Sequence, residues 1–123
     1  MLTPFPLPLP SGIVVDIAKP TDLRPLAAEV RTSGRRDVQG KLSAWLLLSL
    51  KLRGRTEIIG LGMLPDGEVV TTGAVEAVDG DKAIRTMDGE TYELDWKADD
   101  LHPGVLEQFW KALRTRGLVE ART

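Results

Sequence analysis

The residues with the means to do chemistry are few. The chain holds one histidine, His102, and no cysteine, so disulfides, thiolate metal sites, iron–sulfur clusters and cysteine nucleophiles are all excluded. One imidazole cannot build a histidine-based metal cluster. Neither Ser11-Gly12 nor Ser33-Gly34 lies in the G-x-S-x-G elbow that exposes a serine nucleophile, and His102, followed by Pro103, reads as a helix-cap or surface residue. Asp79, Asp81 and Glu90 have the look of a calcium loop, but Ile84 stands at the loop's central glycine position and Ala83 at its fifth. These acids read as turn residues. Gly60-Leu61-Gly62 lacks the third glycine of a dinucleotide fingerprint, and Pro65 falls where it would be. No spacing among the many carboxylates selects a pair for acid–base work. No cofactor, metal or catalytic residue is expected, and the chain reads as a non-enzyme.

The charges are more informative. The net charge of −2 hides a segregation, because residues 17–60 carry nine basic and four acidic side chains, whereas residues 61–110 carry three basic and twelve acidic. Such a two-signed chain suits head-to-tail self-association or an oppositely charged partner. The basic half, with Arg31, Arg35, Arg36, Lys41, Arg53 and Arg55 joined by Arg114 and Arg116, also supports an alternative, a phosphate-binding face for nucleic acid. Against that alternative, no aromatic residue is interleaved with the basic ones on a strand.

The elements that must position these groups fit one domain of 123 residues. Hydrophobic residues at 42% and charged residues at 28% are ordinary for a soluble globular chain. The longest apolar run, Ala44 to Leu48, is far short of the ~20 residues that cross a bilayer, and the proline-spaced opening, without a basic start, does not read as a signal peptide. A cytoplasmic location is expected, or a virion if the chain is a phage component.

Residues 1–12 form an extended arm. Prolines at 4, 6, 8 and 10 forbid a helix and present Phe5, Leu7 and Leu9 between them. Residues 13–123 form the domain. Ile13 to Ala18 reads as a short β-branched strand, and Leu23, Leu26, Ala27 and Val30 recur at helical spacing over 22–33, with Thr21 as N-cap and Gly34 as stop. Asp37 and Gly54 bracket residues 38–53, which read as a second, mostly apolar helix, although the alternation of Leu46, Leu48, Leu50 and Leu52 also fits a strand. From Thr56 the punctuation turns to β. Pro65-Asp66-Gly67, Asp79-Gly80-Asp81 and Asp88-Gly89 separate hairpin strands, with Val69, Val75, Val78, Ile84, Met87, Tyr92, Leu94 and Trp96 as core-facing residues and Gly73 as a bulge. Val105, Leu106, Phe109, Trp110 and Leu113 form the stripe of a C-terminal helix ending at Gly117. The predicted fold is α+β: an antiparallel β-meander, two helices in the N-terminal half, and the C-terminal helix packed on the sheet.

Leu9-Pro10-Ser11-Gly12, Val14-Val15-Asp16-Ile17 and Pro20-Thr21-Asp22 together resemble the opening of small tail- or baseplate-assembly chaperones of tailed phages. The likeness spans roughly the first 55 residues. It implies a non-catalytic role in tail or injection-machine assembly and a leucine-rich helix after the opening strand; those chaperones are helical where this chain carries its β-meander.

The function expected is therefore protein–protein interaction within a larger complex, with other subunits or a second copy of the chain as partners and no membrane. Phe5, Leu7 and Leu9 are the candidate arm anchors. Arg35, Arg36, Arg53 and Arg55 are the candidate cationic contacts, for acidic surfaces such as Asp88 and Glu90 on a neighbour.

Overall fold

The structure, a computed structural model, describes residues 7–8, 12–31, 38–52, 54–98, 109–111 and 114–115. Its strands are β1 (Leu7–Pro8), β2 (Val14–Ile17), β3 (Val38–Leu52), β4 (Arg55–Met63), β5 (Val69–Asp79), β6 (Ala83–Thr86) and β7 (Thr91–Leu94); one helical turn, α1 (Pro20–Leu23), runs into a 3-10 turn at Arg24–Leu26. Each strand pairs antiparallel with the next in sequence, and β7 then pairs in parallel with β3. That last pairing joins β3 through β7 into a closed five-stranded ring, so the meander is a small barrel, with β1 and β2 extending the sheet from β3.

This corrects the α+β expectation. The molecule is a β-rich meander, and a sheet faced by helices is not its architecture. Residues 38–53, read as a helix, contain the longest strand, β3. The apolar residues that suggested a helix buried all round are those of a strand buried on both faces, which also reads as a nearly continuous hydrophobic run. Leu42, Trp45 and Leu47 point into the barrel with Ile58, Val75, Val78, Ile84, Tyr92 and Leu94. Ala44, Leu46, Leu48 and Leu50 point outward with Ile59 and Leu61, into a second core that includes Val15, Ala98 and Phe109. The helix expected over 22–33 shrinks to α1 and the 3-10 turn. Pro25 removes a backbone donor there, and Ala27 leaves the turn in extended geometry to bridge Val78. The expected C-terminal helix falls largely outside the described residues.

β3 can serve two cores because it changes direction. Its register against β4 slips between Ser43 and Leu46, and Ala44 there adopts φ 52°, the left-handed conformation of a bulge that bends a strand and switches its facing residues. Before the bulge β3 pairs with β7; beyond it, with β2. Trp45, immediately after the bulge, fastens the closure. Its backbone N–H donates to the Trp96 carbonyl (3.3 Å), its carbonyl accepts from the Ala98 N–H (3.0 Å), and its indole Nε1–H donates to the Asp95 carbonyl (2.9 Å).

Gly60 and Gly62 give the Gly-Leu-Gly pattern its role. Both alternate with outward-facing Ile59 and Leu61, so both face the barrel interior. A Cβ on Gly60 would stand 2.9 Å from Ile84 Cδ1, and one on Gly62 would stand 3.0 Å from Leu42 Cβ and 3.2 Å from the Ser43 carbonyl oxygen. They are the places where a narrow barrel brings strand and side chain too close for any larger residue.

Candidate functional site

β4 is paired along only part of one side. Its ladder with β5 runs from Ile59 to Met63, whereas Arg55–Ile58 have β3 on one side and no β5 partner on the other. β5 bulges as it leaves: Thr72 and Gly73, between Thr71 and Ala74, oppose the single Gly60 between Leu61 and Ile59, after which β5 turns to pair with β6. The divergence opens a groove of about 360 Å³ between β4 and the β5–β6 layer. Ile58, Ala74, Val75 and Leu26 line it together with Arg55, Thr56 and Glu57, and Met87 stands at its rim.

Met87 and Trp96, both expected in the core, are instead the large exposed hydrophobic residues among those described, at 68% and 53%. The reason is turn geometry. Strand β6 ends at Thr86, so Met87 begins the tight turn to β7, and Trp96 follows β7 after its ladder has ended; strict alternation does not hold a side chain inward beyond the ladder. The Met87 turn is firmly held. The Met87 N–H donates to the Ala74 carbonyl (2.8 Å), Thr86 N–H to the Glu90 carbonyl (2.8 Å), Gly89 N–H to the Thr86 carbonyl (3.0 Å), and Glu90 N–H to Thr86 Oγ1 (3.2 Å). Met87 is thus presented on a preorganised turn.

The candidate contacts are placed as follows. Arg55 is exposed and, among the described residues, forms no ion pair. Asp88 is exposed beside Met87, with a carboxylate oxygen 3.2 Å from where a Cβ of Gly73 would stand. Glu90, by contrast, accepts a hydrogen bond from the Tyr92 hydroxyl (3.3 Å), so part of its acidity serves the fold. The backbone of Leu7 lies opposite Val15 of the same chain. Phe5, Leu9, Arg35, Arg36 and Arg53 lie outside the described residues, as does His102. The structure therefore brings Arg55 and Glu57 to a groove rimmed by Met87, with Asp88 next in sequence to Met87 and its carboxylate beside Gly73, through a feature the sequence does not show: the stretch of β4 without a β5 partner.

Other acids are occupied by structure. Asp79 accepts from the Val30 N–H (3.2 Å), Asp66 from the Glu68 N–H (2.9 Å), and Glu76 pairs with Arg85 at 2.7 Å. Among the described residues, no group of three or more His, Cys, Asp or Glu side chains is gathered as metal ligands, and no helix is long and apolar enough to cross a membrane.

Burial, the Glu90 charge with its hydrogen bond, and the Glu68 charge push the Tyr92 hydroxyl up to about 12 from an ordinary 10. The folded state thus favours the neutral phenol. Stability from this source is complete below pH ~10, where both states are protonated, and is lost as the pH rises from there through ~12. Tyr92 is the only tyrosine, so phenolate absorbance near 295 nm reads it alone. The native protein should titrate near 12 and the urea-denatured chain near the ordinary value; a native midpoint at the ordinary value would contradict the buried hydrogen-bonded ring.

Comparison of the chain with protein-family models, curated proteins and solved structures finds no match.

Proposed function

We propose that the protein is a non-enzymatic interaction module, a subunit of a larger protein assembly; a tail-like injection machine is the assembly that its N-terminal resemblance implies. The observation that carries this reading is Met87, 68% exposed on a hydrogen-bonded turn beside a mainly apolar groove. A large apolar side chain exposed to water gains free energy when a partner covers it, and because the backbone of its turn is already fixed, the ordering cost is confined to its own rotamers. Arg55 and Glu57 on the groove lining, with Asp88 next to Met87, add charges of both signs around it, which favours a protein partner over a uniformly anionic polymer. The arm supplies the second contact, with Phe5, Leu7 and Leu9 as apolar anchors, and Arg35, Arg36 and Arg53 are further candidate cationic contacts.

The test is affinity purification of the full chain from its native cells with the co-purifying subunits identified, repeated with Met87→Asp and with residues 1–10 deleted. Among the described residues, deletion removes two cross-strand pairs, Leu7 with Val15 and Pro8 with Val14, each worth ~0.2–1 kcal/mol. The truncated chain should therefore still unfold cooperatively, at most about 2 kcal/mol less stable, while losing the defined partner. Equal recovery of that partner by the wild type and both variants would refute the reading.

A further inference from the structure

We infer that the groove beside β4 is a self-complementary interface, and that its occupant is the Met87-Asp88 turn of a second copy of this chain. The inference rests on the interaction reading above and names the partner.

An isologous dimer requires one patch to carry both halves of every contact, so that residue i meets j and j meets i across the two-fold axis. This patch does so. It holds an apolar recess lined by Ile58, Ala74, Val75 and Leu26, and at its rim a projecting apolar side chain, Met87. It also holds a cation without an ion pair among the described residues, Arg55, on the same lining as the partly buried Glu57, and next in sequence to Met87 stands an exposed carboxylate, Asp88. A two-fold axis through the groove seats Met87 of each copy in the recess of the other and sets each Arg55 over the opposing Asp88. Methionine suits such a recess, because its unbranched thioether fits an irregular cavity.

Two further observations favour a second copy. Among the described residues, the Arg55–Ile58 stretch of β4 has no strand on its groove side, and an open strand edge is a surface that proteins either cover or protect. The Met87 turn is fixed by backbone bonds to Ala74 and within the turn itself, so docking needs no rearrangement of the knob.

Sedimentation velocity on the full chain over a rising concentration series should give a species of twice the 13.5 kDa chain mass. Met87→Asp should weaken dimerisation at least tenfold. Arg55→Glu and Asp88→Arg should each weaken it at least tenfold, and the double exchange should restore it to within about threefold of wild type, since the pair is then rebuilt with its signs reversed. Unchanged circular dichroism and thermal unfolding establish that each variant folds. A chain that stays monomeric throughout overturns the inference, as does a dimer indifferent to all three substitutions or a double exchange that fails to rescue. If the monomer still retains a different protein through the groove or the arm, the interaction reading survives and only the second copy is refuted; if it retains none, both fail.

Discussion

Trp45→Ala is expected to cost ~3–5 kcal/mol, the range for truncating a large buried aromatic side chain. Against the ~5–15 kcal/mol that stabilises a typical domain, this is a third or more of the total. Trp45 is 2% exposed and packs inside the barrel with Leu42, Leu47, Tyr92 and Leu94. Two losses combine. The ring leaves a cavity at the seam where β3 meets the segment after β7, and the Asp95 carbonyl loses the indole donor 2.9 Å away. Lys97, with its ammonium 5.5 Å from the ring centroid, also loses its aromatic surface, a smaller effect at an exposed cation. Urea unfolding followed by circular dichroism measures the change. Trp45→Phe separates the contributions, since it keeps most of the volume and removes only the hydrogen bond, and should cost ~1–2 kcal/mol. A loss under ~1.5 kcal/mol for the alanine variant would mean that the ring is not a closing element of the barrel.

The second large effect is expected at Gly62. In Gly62→Val the new Cβ would stand 3.0 Å from Leu42 Cβ, 3.2 Å from Trp45 Cβ and 3.2 Å from the Ser43 carbonyl oxygen. Each neighbour is fixed: two are the first carbons of buried side chains and the third is backbone beside the β3 bulge. Overpacking of a filled core costs ~1–3 kcal/mol, and the upper end or beyond is expected here because no flexible side-chain tip is available to move. Gly73→Ala is the control. Its Cβ would meet only the end of the Asp88 side chain, at 3.2 Å, which can swing aside, so the change should stay within ~0.5 kcal/mol. Thermal unfolding of the two variants side by side decides the matter; equal melting temperatures would remove the close-approach account of the inward glycines.

The candidate site was partly legible in the sequence. Arg55 and Asp88 are visible there as members of oppositely charged segments, because formal charge needs no structure to be read. The groove that Arg55 lines and Met87 rims was not visible. It depends on β5 parting from β4 at Ile59, a consequence of the extra residue between Thr71 and Ala74. Gly73 signals that bulge, but a glycine does not tell which neighbouring strand loses its partner. Met87 is expected inside from its hydrophobicity alone, but alternation from buried Ile84 and Thr86 puts Met87 on the opposite face, and the strand ends one residue before it.

What the sequence determined by itself is local. Gly67, Gly80 and Gly89 take φ of 88°, 52° and 87°, and these turns punctuate the second half because such backbone angles are costly for any residue with a Cβ. The lack of cysteine and the single histidine likewise limit the chemistry without reference to fold. The tertiary structure alone decided the state of residues 38–52. A run apolar on every side satisfies a helix buried all round and a strand buried on both faces equally well, and the choice falls to partners distant in the chain, β7 and β2 along one edge and β4 along the other. The parallel closure of β3 on β7 belongs to the same class. It joins residues about fifty positions apart, and the free energy that secures it comes from filling the barrel interior, a property of all five strands together that no segment carries alone.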